Sequence, residues 1–376
     1  MTFKEENNPH IVIYNGSGYI KAGFGGEECP RTLFPSYVGY PKYSQAMICP
    51  NIKDFYVGED AEKIRGVLEL YYPIEHGEIK NWDDMEKIWG HIFINELRIY
   101  PEDHNILITE CSEHSKENRE KIAQIMFETF NVNGLYISDP GVLSLYSAGK
   151  FTGFALSLGD GITQFVPIFD GFKLPYSNYF KFGGRDLTKY FTKIFYENGY
   201  RFNKSSEFEI VKNIKEKACY VALDYEEELR KYKPYDYILP DGNHIILTAQ
   251  RIRVPEAIFQ LNRFGDNFKN YNIQQTFHDI IQKYDFDIRK VLYNNIILSG
   301  GNSLFEGLTE RLTKEIKDLA PKSMKDEVNI IAPPERLFTK WRGGSILCSI
   351  SNIERIWITK DEYNEFGINI VDKKCF

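Results

Sequence analysis

The strongest constraint on the fold of this chain is a glycine hairpin that occurs twice, each time at the start of a segment that alternates strands and helices. The first has Asn-Gly-Ser-Gly at residues 15–18, and the second has Gly-Asp-Gly at residues 159–161. Tight turns between apolar runs are typical of hairpins. About 145 residues separate the two, and such self-similarity indicates an internal duplication. We therefore expect two α/β lobes with a ligand cleft where the hairpins meet.

Composition excludes several other classes of protein. The 376 residues suffice for roughly two to three domains. Hydrophobic residues make up 43% and charged residues 26%, an ordinary globular balance that excludes a disordered chain or a disulfide miniprotein. The net charge of −7 argues against a nucleic-acid partner, whose binding surface is basic. No apolar run reaches the ~18 residues of a membrane span. The polar N-terminus and the six scattered cysteines predict a cytosolic protein with reduced thiols.

Hydrophobic periodicity predicts the elements of both lobes. In the first lobe we expect helices over residues 83–97 and 116–130 and strands over residues 105–108 and 135–137. In the second lobe we expect strands over residues 154–158, 162–169 and 296–298 and helices over residues 185–198 and 208–222. A last helix is expected to present Phe305, Leu308, Leu312, Ile316 and Leu319 on one face. This alternation indicates an α/β architecture.

The two hairpins are also candidate phosphate-binding loops. Glycines let backbone N–H groups approach an anion closely. Beside them, Ser17 offers a hydroxyl, Lys21 a positive charge, and Asp160 a carboxylate that could face a hydrated cation. A glycine hairpin of this kind, taken alone, is more often a simple turn than a phosphate-binding loop.

Two further motifs could contact a flat ring. Gly300 and Gly301 end a strand before Phe305, which could pack against such a ring or could be a core aromatic. Lys212 and Glu216 lie four residues apart on a helix, so they could contact a nucleotide or form only a solvated ion pair.

Longer strings identify a family. They run in the same order along nearly the whole chain and read YPIEHG at 72–77, NWDDMEKIW at 81–89, QIMFETFNV at 124–132, GRDLT at 184–188, IKEK at 214–217, CYVALD at 219–224, APPER at 332–336 and KCF at 374–376. Together they resemble actin, so the chain looks like a divergent actin or actin-related protein.

The resemblance implies the two-lobed actin/sugar-kinase/Hsp70 ATPase fold, with a duplicated core and a nucleotide cleft. It implies a first lobe over residues 1–147 plus 339–376, including a small subdomain at about 36–72. It implies a second lobe over residues 148–338, including a small subdomain at about 185–262. ATP or ADP with Mg²⁺ or Ca²⁺ would be the ligands, and the protein would be cytoplasmic and cytoskeletal.

The resemblance also assigns nucleotide contacts residue by residue. The first phosphate loop of the family is matched by Gly16, Ser17, Gly18 and Lys21. The second is matched by Gly159, Asp160 and Gly161. The adenosine contacts are matched by Lys212, Lys215, Glu216, Gly300, Gly301 and Phe305. Lys212 replaces an arginine of the family, Phe305 a tyrosine, and Leu337 a lysine near the purine.

Departures from the family pattern fall on the catalytic and metal positions. Tyr14 and Ser157 replace the two aspartates that act on the hydrated cation, which leaves only Asp160 as a weak metal candidate. Pro140 replaces the glutamine that positions the attacking water, and Gln164 replaces a histidine that helps relay the proton. We therefore expect hydrolysis far slower than in conventional actin, unless other groups compensate.

The surfaces that form the polymer in the family diverge too. Residues 40–53 match the loop that inserts into the next filament subunit, and they carry Pro50. Residues 261–272 match an apolar plug, but Arg263, Asp266 and Lys269 make them polar. We expect a subunit of actin-type filaments or of a larger complex that also meets actin-binding proteins. The alternatives are an active, polymerising actin-type ATPase and, from another class, a small-molecule kinase of the same fold.

Overall fold

The computed structural model describes residues 8–42, 53–110, 116–202, 205–264 and 272–375, without the side chains at 205, 206, 263 and 264. The chain divides into two compact units. One is formed by Met1–Lys150 together with Phe338–Phe376, and the other by Phe151–Leu337.

The first unit begins with short strands and then alternates strands with helices. Its strands before residue 150 are β1 (Ile11–Asn15), β2 (Tyr19–Phe24), β3 (Thr32–Pro35), β4 (Val38–Pro41), β5 (Tyr56–Val57), β6 (Leu68–Tyr71), β7 (Ile74–Glu75), β8 (Glu78–Ile79), β9 (Asn105–Thr109) and β10 (Gly134–Ser138). Its helices there are α1 (Gly58–Lys63), α2 (Trp82–His91), α3 (Lys116–Gln124) and α4 (Pro140–Ser147). Single π-helical turns at Ile92–Leu97 and Ile125–Thr129 continue α2 and α3.

The second unit contains the next set of elements. Its strands are β11 (Gly153–Leu158), β12 (Thr163–Phe169), β13 (Phe172–Lys173), β14 (Asn178–Phe180), β15 (Tyr235–Ile238), β16 (His244–Leu247), β17 (Ile296–Ser299) and β18 (Ile330–Ile331). Its helices are α5 (Gly184–Glu197), α6 (Ser205–Ala218), α7 (Tyr225–Lys231), α8 (Gln250–Glu256), α9 (Ile273–Ile281), α10 (Phe286–Asn294) and α11 (Leu308–Leu319).

The C-terminal segment returns to the first unit with α12 (Thr339–Leu347), β19 (Ile358–Thr359), α13 (Lys360–Phe366) and α14 (Ile370–Lys374). Short 3₁₀ turns along the chain include Arg65–Val67, Pro101–Asp103, Leu261–Phe264, Gly301–Leu304, Lys322–Glu327 and Ile353–Arg355.

The main sheet of the first unit has the strand order β19-β10-β9-β1-β2-β3. The β1–β2 hairpin is antiparallel, whereas β1, β9 and β10 run parallel. Ile11, Val12 and Ile13 are fully buried in succession, as expected for a central strand with both faces covered. On one face of this sheet α12 packs closely on α4. The close approach is possible because Gly343 has no side chain, since a Cβ there would collide with the backbone of Leu143.

A second, smaller sheet lies within the first unit. It joins β5, β4 and β6 in antiparallel order and has a core of its own around Tyr37, Ala61 and Leu68.

The second unit repeats the topology of the first. Its sheet has the order β13-β12-β11-β17-β18, in which β11 and β12 form the antiparallel hairpin and β11, β17 and β18 run parallel. The internal duplication and the α/β class predicted from the sequence are therefore confirmed.

One buried ion pair ties α8 to α11 in this unit. Arg311 donates to both carboxylate oxygens of Glu256 at 3.2 Å, and Glu256 is completely buried. Arg311 also donates to the carbonyl oxygen of Ala222 at 2.9 Å and to Glu315 at 2.6 Å. Arg311 therefore compensates the charge of the buried Glu256.

Two details of the predicted helices are wrong. The helix predicted over residues 208–222 is α6, which ends at Ala218. The backbone after Ala218 leaves the helical hydrogen-bond pattern. The N–H of Tyr220 donates to the carbonyl of Arg251, and the N–H of Val221 donates to the carbonyl of Glu306. Phe305 precedes α11, because Gly307 with φ 78° forms the turn that starts this helix. Phe305 is nevertheless buried in the same apolar core as Leu308.

Parts of the predicted polymer surfaces lie outside the described residues. These are Met47, Pro50 and Asn51 of the first segment and Asp266, Asn267 and Lys269 of the second. Cys49 and Cys111 also lie outside them, and the other four cysteines are free thiols. Among the described helices, not one combines the length and the apolar character needed to span a bilayer.

Candidate functional site

The first predicted phosphate loop is the turn between β1 and β2. Asn15 donates its backbone N–H to Thr109 Oγ1 at 3.1 Å, and Ser17 Oγ accepts the backbone N–H of Gly77 at 3.0 Å. A Cβ at Gly16 would lie 2.8 Å from Cε1 of Tyr14 and would collide with the carbonyl of Tyr19. Only glycine fits this position, so the loop is held tightly against the ring of Tyr14.

Lys21 lies on β2 directly behind this loop. Its side chain is buried, with 5% exposed, and its Nζ lies 4.5 Å from the centroid of the Tyr14 ring. Burial, together with a smaller contribution from the nearby charge of Lys340, lowers the pKa of Lys21 to about 7. Among the described residues of the first unit, no carboxylate pairs with Lys21. A buried ammonium in this state favours an anion as its partner.

A second lysine reaches the same tyrosine from α12. Nζ of Lys340 donates to the hydroxyl of Tyr14 at 3.4 Å and lies 5.4 Å from the ring centroid. Lys340 is also buried, with 6% exposed. The position at which the family carries a carboxylate is thus a neutral aromatic ring contacted by two lysines.

Pro140 is the first residue of α4 and is buried. The carboxylate of the preceding Asp139 caps this helix, because its Oδ1 accepts the N–H of Gly141 at 2.6 Å. Proline suits the first helical position, where its missing N–H would have no partner in any case. The position predicted to orient water is therefore occupied by a ring without hydrogen-bonding atoms.

Glu110 directly follows β9, the strand next to β10. Burial raises the pKa of Glu110 to about 8, Arg119 at 3.9 Å opposes the shift, and Asp139 adds to it. The protonated form of Glu110 is therefore favoured at neutral pH.

The second predicted loop is the turn between β11 and β12. Gly159 donates its N–H to the carbonyl of Ile162 at 2.9 Å and accepts that of Gly184 at 3.0 Å. The carbonyl of Asp160 accepts the N–H of Arg185 at 2.9 Å, and its carboxylate pairs with the Arg185 guanidinium at 3.4 Å. The loop is thereby fixed against the N-terminus of α5, whose first backbone N–H groups bond to the loop carbonyls.

Residues from two other elements join this loop. Asn302 donates its amide to the carbonyl of Gly159 at 2.8 Å, and Lys215 donates to the carbonyl of Gly184 at 2.7 Å. Gly300 has φ 93° and passes so close to the carbonyl of Leu158 that a side chain could not fit. The structure thus brings Gly159, Asp160, Lys215 and Gly300 together, and it adds residues that the sequence reasoning missed: Gly184, Arg185 and Asn302.

The other predicted adenosine residues lie around α6 and the turn after β17. Lys212 forms a buried ion pair with Glu209 at 3.3 Å, whereas Glu216 is exposed. Gly301 faces open space, since a Cβ there would meet no atom within 4 Å. Phe305 has 8% of its surface exposed and belongs to the core, which favours the core alternative for its role.

Neutral groups fill the remaining positions of the second unit to which the resemblance assigns a catalytic role. Ser157 and Gln164 are direct partners across the β11–β12 hairpin, and 2% and 3% of their surfaces are exposed. Ser299 is the partner of Ser157 on β17, and its buried hydroxyl lacks a hydrogen-bond partner. These side chains carry no charge that would attract a cation.

The donor set fits a polyphosphate but does not fit a hydrated divalent cation. Tight glycine loops and a buried ammonium without a carboxylate suit an anion. A hard cation needs several oxygen ligands with negative charge. Tyr14 and Ser157 are neutral, Asp160 is paired with Arg185, and among the described residues no group of three or more His, Cys, Asp or Glu side chains could hold a metal ion.

Two units that each open with a glycine hairpin and continue into parallel strands define the class of duplicated α/β folds. The sequence model of the actin family matches residues 5–376, so the chain belongs to the actin family. The predicted family and fold are confirmed, and the protein is an actin-like member of a nucleotide-binding, cytoskeletal family.

Proposed function

We propose that this protein is an actin-type subunit that binds ATP or ADP and hydrolyses ATP far more slowly than conventional actin. The observation that carries the proposal is Pro140 at the first position of α4, with the adjacent carboxylate of Asp139 already used as the helix cap. Neither group offers the neutral amide that the resemblance assigns to water positioning.

The proton-relay position gives independent support for slow hydrolysis. Gln164 is buried opposite Ser157 on the β11–β12 hairpin, and an amide side chain does not take up a proton near neutral pH. Loss of one positioned catalytic group costs ~10²–10³ in rate, and losses around one water need not multiply. We therefore expect a turnover at least ~10²-fold below that of conventional actin.

Nucleotide binding is supported by the two groups of loop residues. In the first unit, Lys21 and the Gly16–Gly18 backbone are proposed to contact phosphates. In the second unit, Gly159 and Asp160 are proposed phosphate contacts, and Lys215 and Gly300 are proposed adenosine contacts. The rigid anchoring of both loops, through Thr109 and Gly77 in one unit and Asn302 in the other, suits them for this role.

The hydrolysis proposal is tested by phosphate release from purified protein loaded with ATP, in parallel with conventional actin. Nucleotide that stays bound as ATP over many conventional turnover times is the expected result. Phosphate release at the conventional rate would refute the proposal and favour the active ATPase.

We also propose that the protein works within actin-type filaments or a larger cytoskeletal complex in the cytoplasm and forms filaments weakly by itself. Family membership supports the partners, and the charges at residues 263, 266 and 269 support weak self-assembly, because burying unpaired charges is costly. Ile346 and Ile350 are 39% and 44% exposed beside the packed α4–α12 pair, where they could receive an actin-binding protein.

Sedimentation with and without conventional actin tests the assembly proposal. We expect the protein to pellet only in the presence of conventional actin or a partner complex. Abundant filaments of the protein alone at micromolar concentration would refute it.

A further inference from the structure

We propose that Lys340, acting with Lys21, supplies the positive charge beside the first phosphate loop, so that this protein binds a nucleotide polyphosphate without a divalent cation. The inference rests on the proposed nucleotide binding, and it concerns how the negative charge of the phosphates is balanced.

The geometry places both ammonium groups around one ring. Nζ of Lys21 lies 4.5 Å and Nζ of Lys340 lies 5.4 Å from the centroid of Tyr14. The same ring supports the loop, since a Cβ at Gly16 would lie 2.8 Å from Cε1 of Tyr14. The ring of Tyr14 therefore contacts both ammonium groups and also the loop that would receive phosphate.

The electrostatics of this arrangement favour an anion and disfavour a cation. Both ammonium groups lie within 5.4 Å of the centroid of the Tyr14 ring, and like charges repel, so the charge of Lys340 is among the causes that lower the pKa of Lys21. A polyphosphate would relieve this repulsion through charge-assisted hydrogen bonds. A divalent cation at the same place would add a positively charged ion beside the two ammonium groups. It would meet the neutral ring of Tyr14 at the position where the family has a carboxylate.

Lys340 would thus neutralise phosphate charge in this unit, which is the role that the resemblance assigns to a divalent cation in the family. A tethered ammonium does not dissociate and does not respond to chelators. Its position is secured by the hydrogen bond to Tyr14 and by the packing of α12 on β1.

The first experiment measures equilibrium binding of ADP and of ATP to the purified full chain, in EDTA and in millimolar Mg²⁺. We expect the two dissociation constants to agree within about threefold. A protein that binds nucleotide in Mg²⁺ but releases it in EDTA would overturn this inference and leave the proposed nucleotide binding intact. A protein that binds no nucleotide in either buffer would overturn both.

The second experiment uses variants of the lysine. Lys340→Met should raise the dissociation constant in EDTA about tenfold or more, and Lys340→Arg, which keeps the charge, should remain within about threefold of the wild type. Lys150→Met, at an exposed lysine of the same unit, is the matched control. Equal binding in EDTA by wild type, Lys340→Met and Lys150→Met would refute a role for Lys340.

The third experiment restores a carboxylate. The double variant Tyr14→Asp/Lys340→Met is expected to bind nucleotide more tightly in Mg²⁺ than in EDTA by about tenfold or more, because an acidic ligand replaces the ring and the competing charge is gone. Circular dichroism checks that each variant is folded. If the variants do not fold, the comparison of wild type in EDTA and Mg²⁺ still decides the inference.

Discussion

Lys21 should make nucleotide binding depend on pH above neutrality. Burial lowers the pKa of this lysine to about 7 in the free protein, with Lys340 adding to the shift. A bound polyphosphate stabilises the charged form, so the pKa of Lys21 must rise on binding. At pH 8 or 9, binding therefore requires the uptake of a proton, and the affinity falls as the pH rises.

The size of this effect follows from the pKa. If the bound form remains charged throughout, the dissociation constant at pH 8 should be about fivefold, and at pH 9 about fiftyfold, that at pH 7. Isothermal titration of ADP in buffers of different ionisation enthalpy measures both the affinity and the proton uptake. The uptake should approach one proton per nucleotide at pH 9.

Lys21→Arg is the decisive variant, because a guanidinium stays charged over this range and should remove the pH dependence. Affinity that stays constant from pH 7 to 9 in the wild type would refute the reasoning. A pH dependence that persists in Lys21→Arg would refute it too, since another group would then be titrating.

Three further predictions concern catalysis and stability. Pro140→Gln should raise phosphate release at least about tenfold while the control Pro140→Ala leaves it unchanged, and equal rates for both variants would refute the role given to Pro140. Arg311→Met should lower the free energy of unfolding by about 3–5 kcal/mol in urea titrations, because the buried Glu256 would lose the guanidinium that compensates its charge; a loss below about 1 kcal/mol would contradict this. Since the pKa of Glu110 is raised from 4.5 to about 8, the folded protein keeps a proton that the unfolded chain loses. Stability should therefore fall as pH rises through this interval, and Glu110→Gln should flatten that slope in thermal melts.

Local patterns in the sequence were sufficient to predict the architecture. The turn at residues 15–18 and its repeat at residues 159–161 are short-range signals, and their apolar flanks fix the strands β1, β2, β11 and β12. The periodic stretch that became α11 was predicted for the same reason. Phe305 was assigned to that helix wrongly, because the positive φ of Gly307 cannot be deduced from periodicity.

The contacts that give the candidate site its character are not local. Lys340 and Tyr14 lie 326 positions apart, and nothing in either segment indicates that they meet. Asn302 reaches Gly159 over 143 positions. The sequence could show that an aspartate was replaced by Tyr14, but only the fold shows which charges surround the replacement.

The division of the chain into units has a consequence for biosynthesis. The second unit is one continuous segment, Phe151–Leu337, whereas the first needs both termini. The sheet of the first unit includes β19 from the C-terminal segment. Trp341, from the same segment, donates its indole N–H to the carbonyl of Val12 on β1. On a translating ribosome the inserted unit can therefore mature while the earlier 150 residues still lack the strand and helices of residues 338–376, so part of their apolar surface stays uncovered until that segment is made.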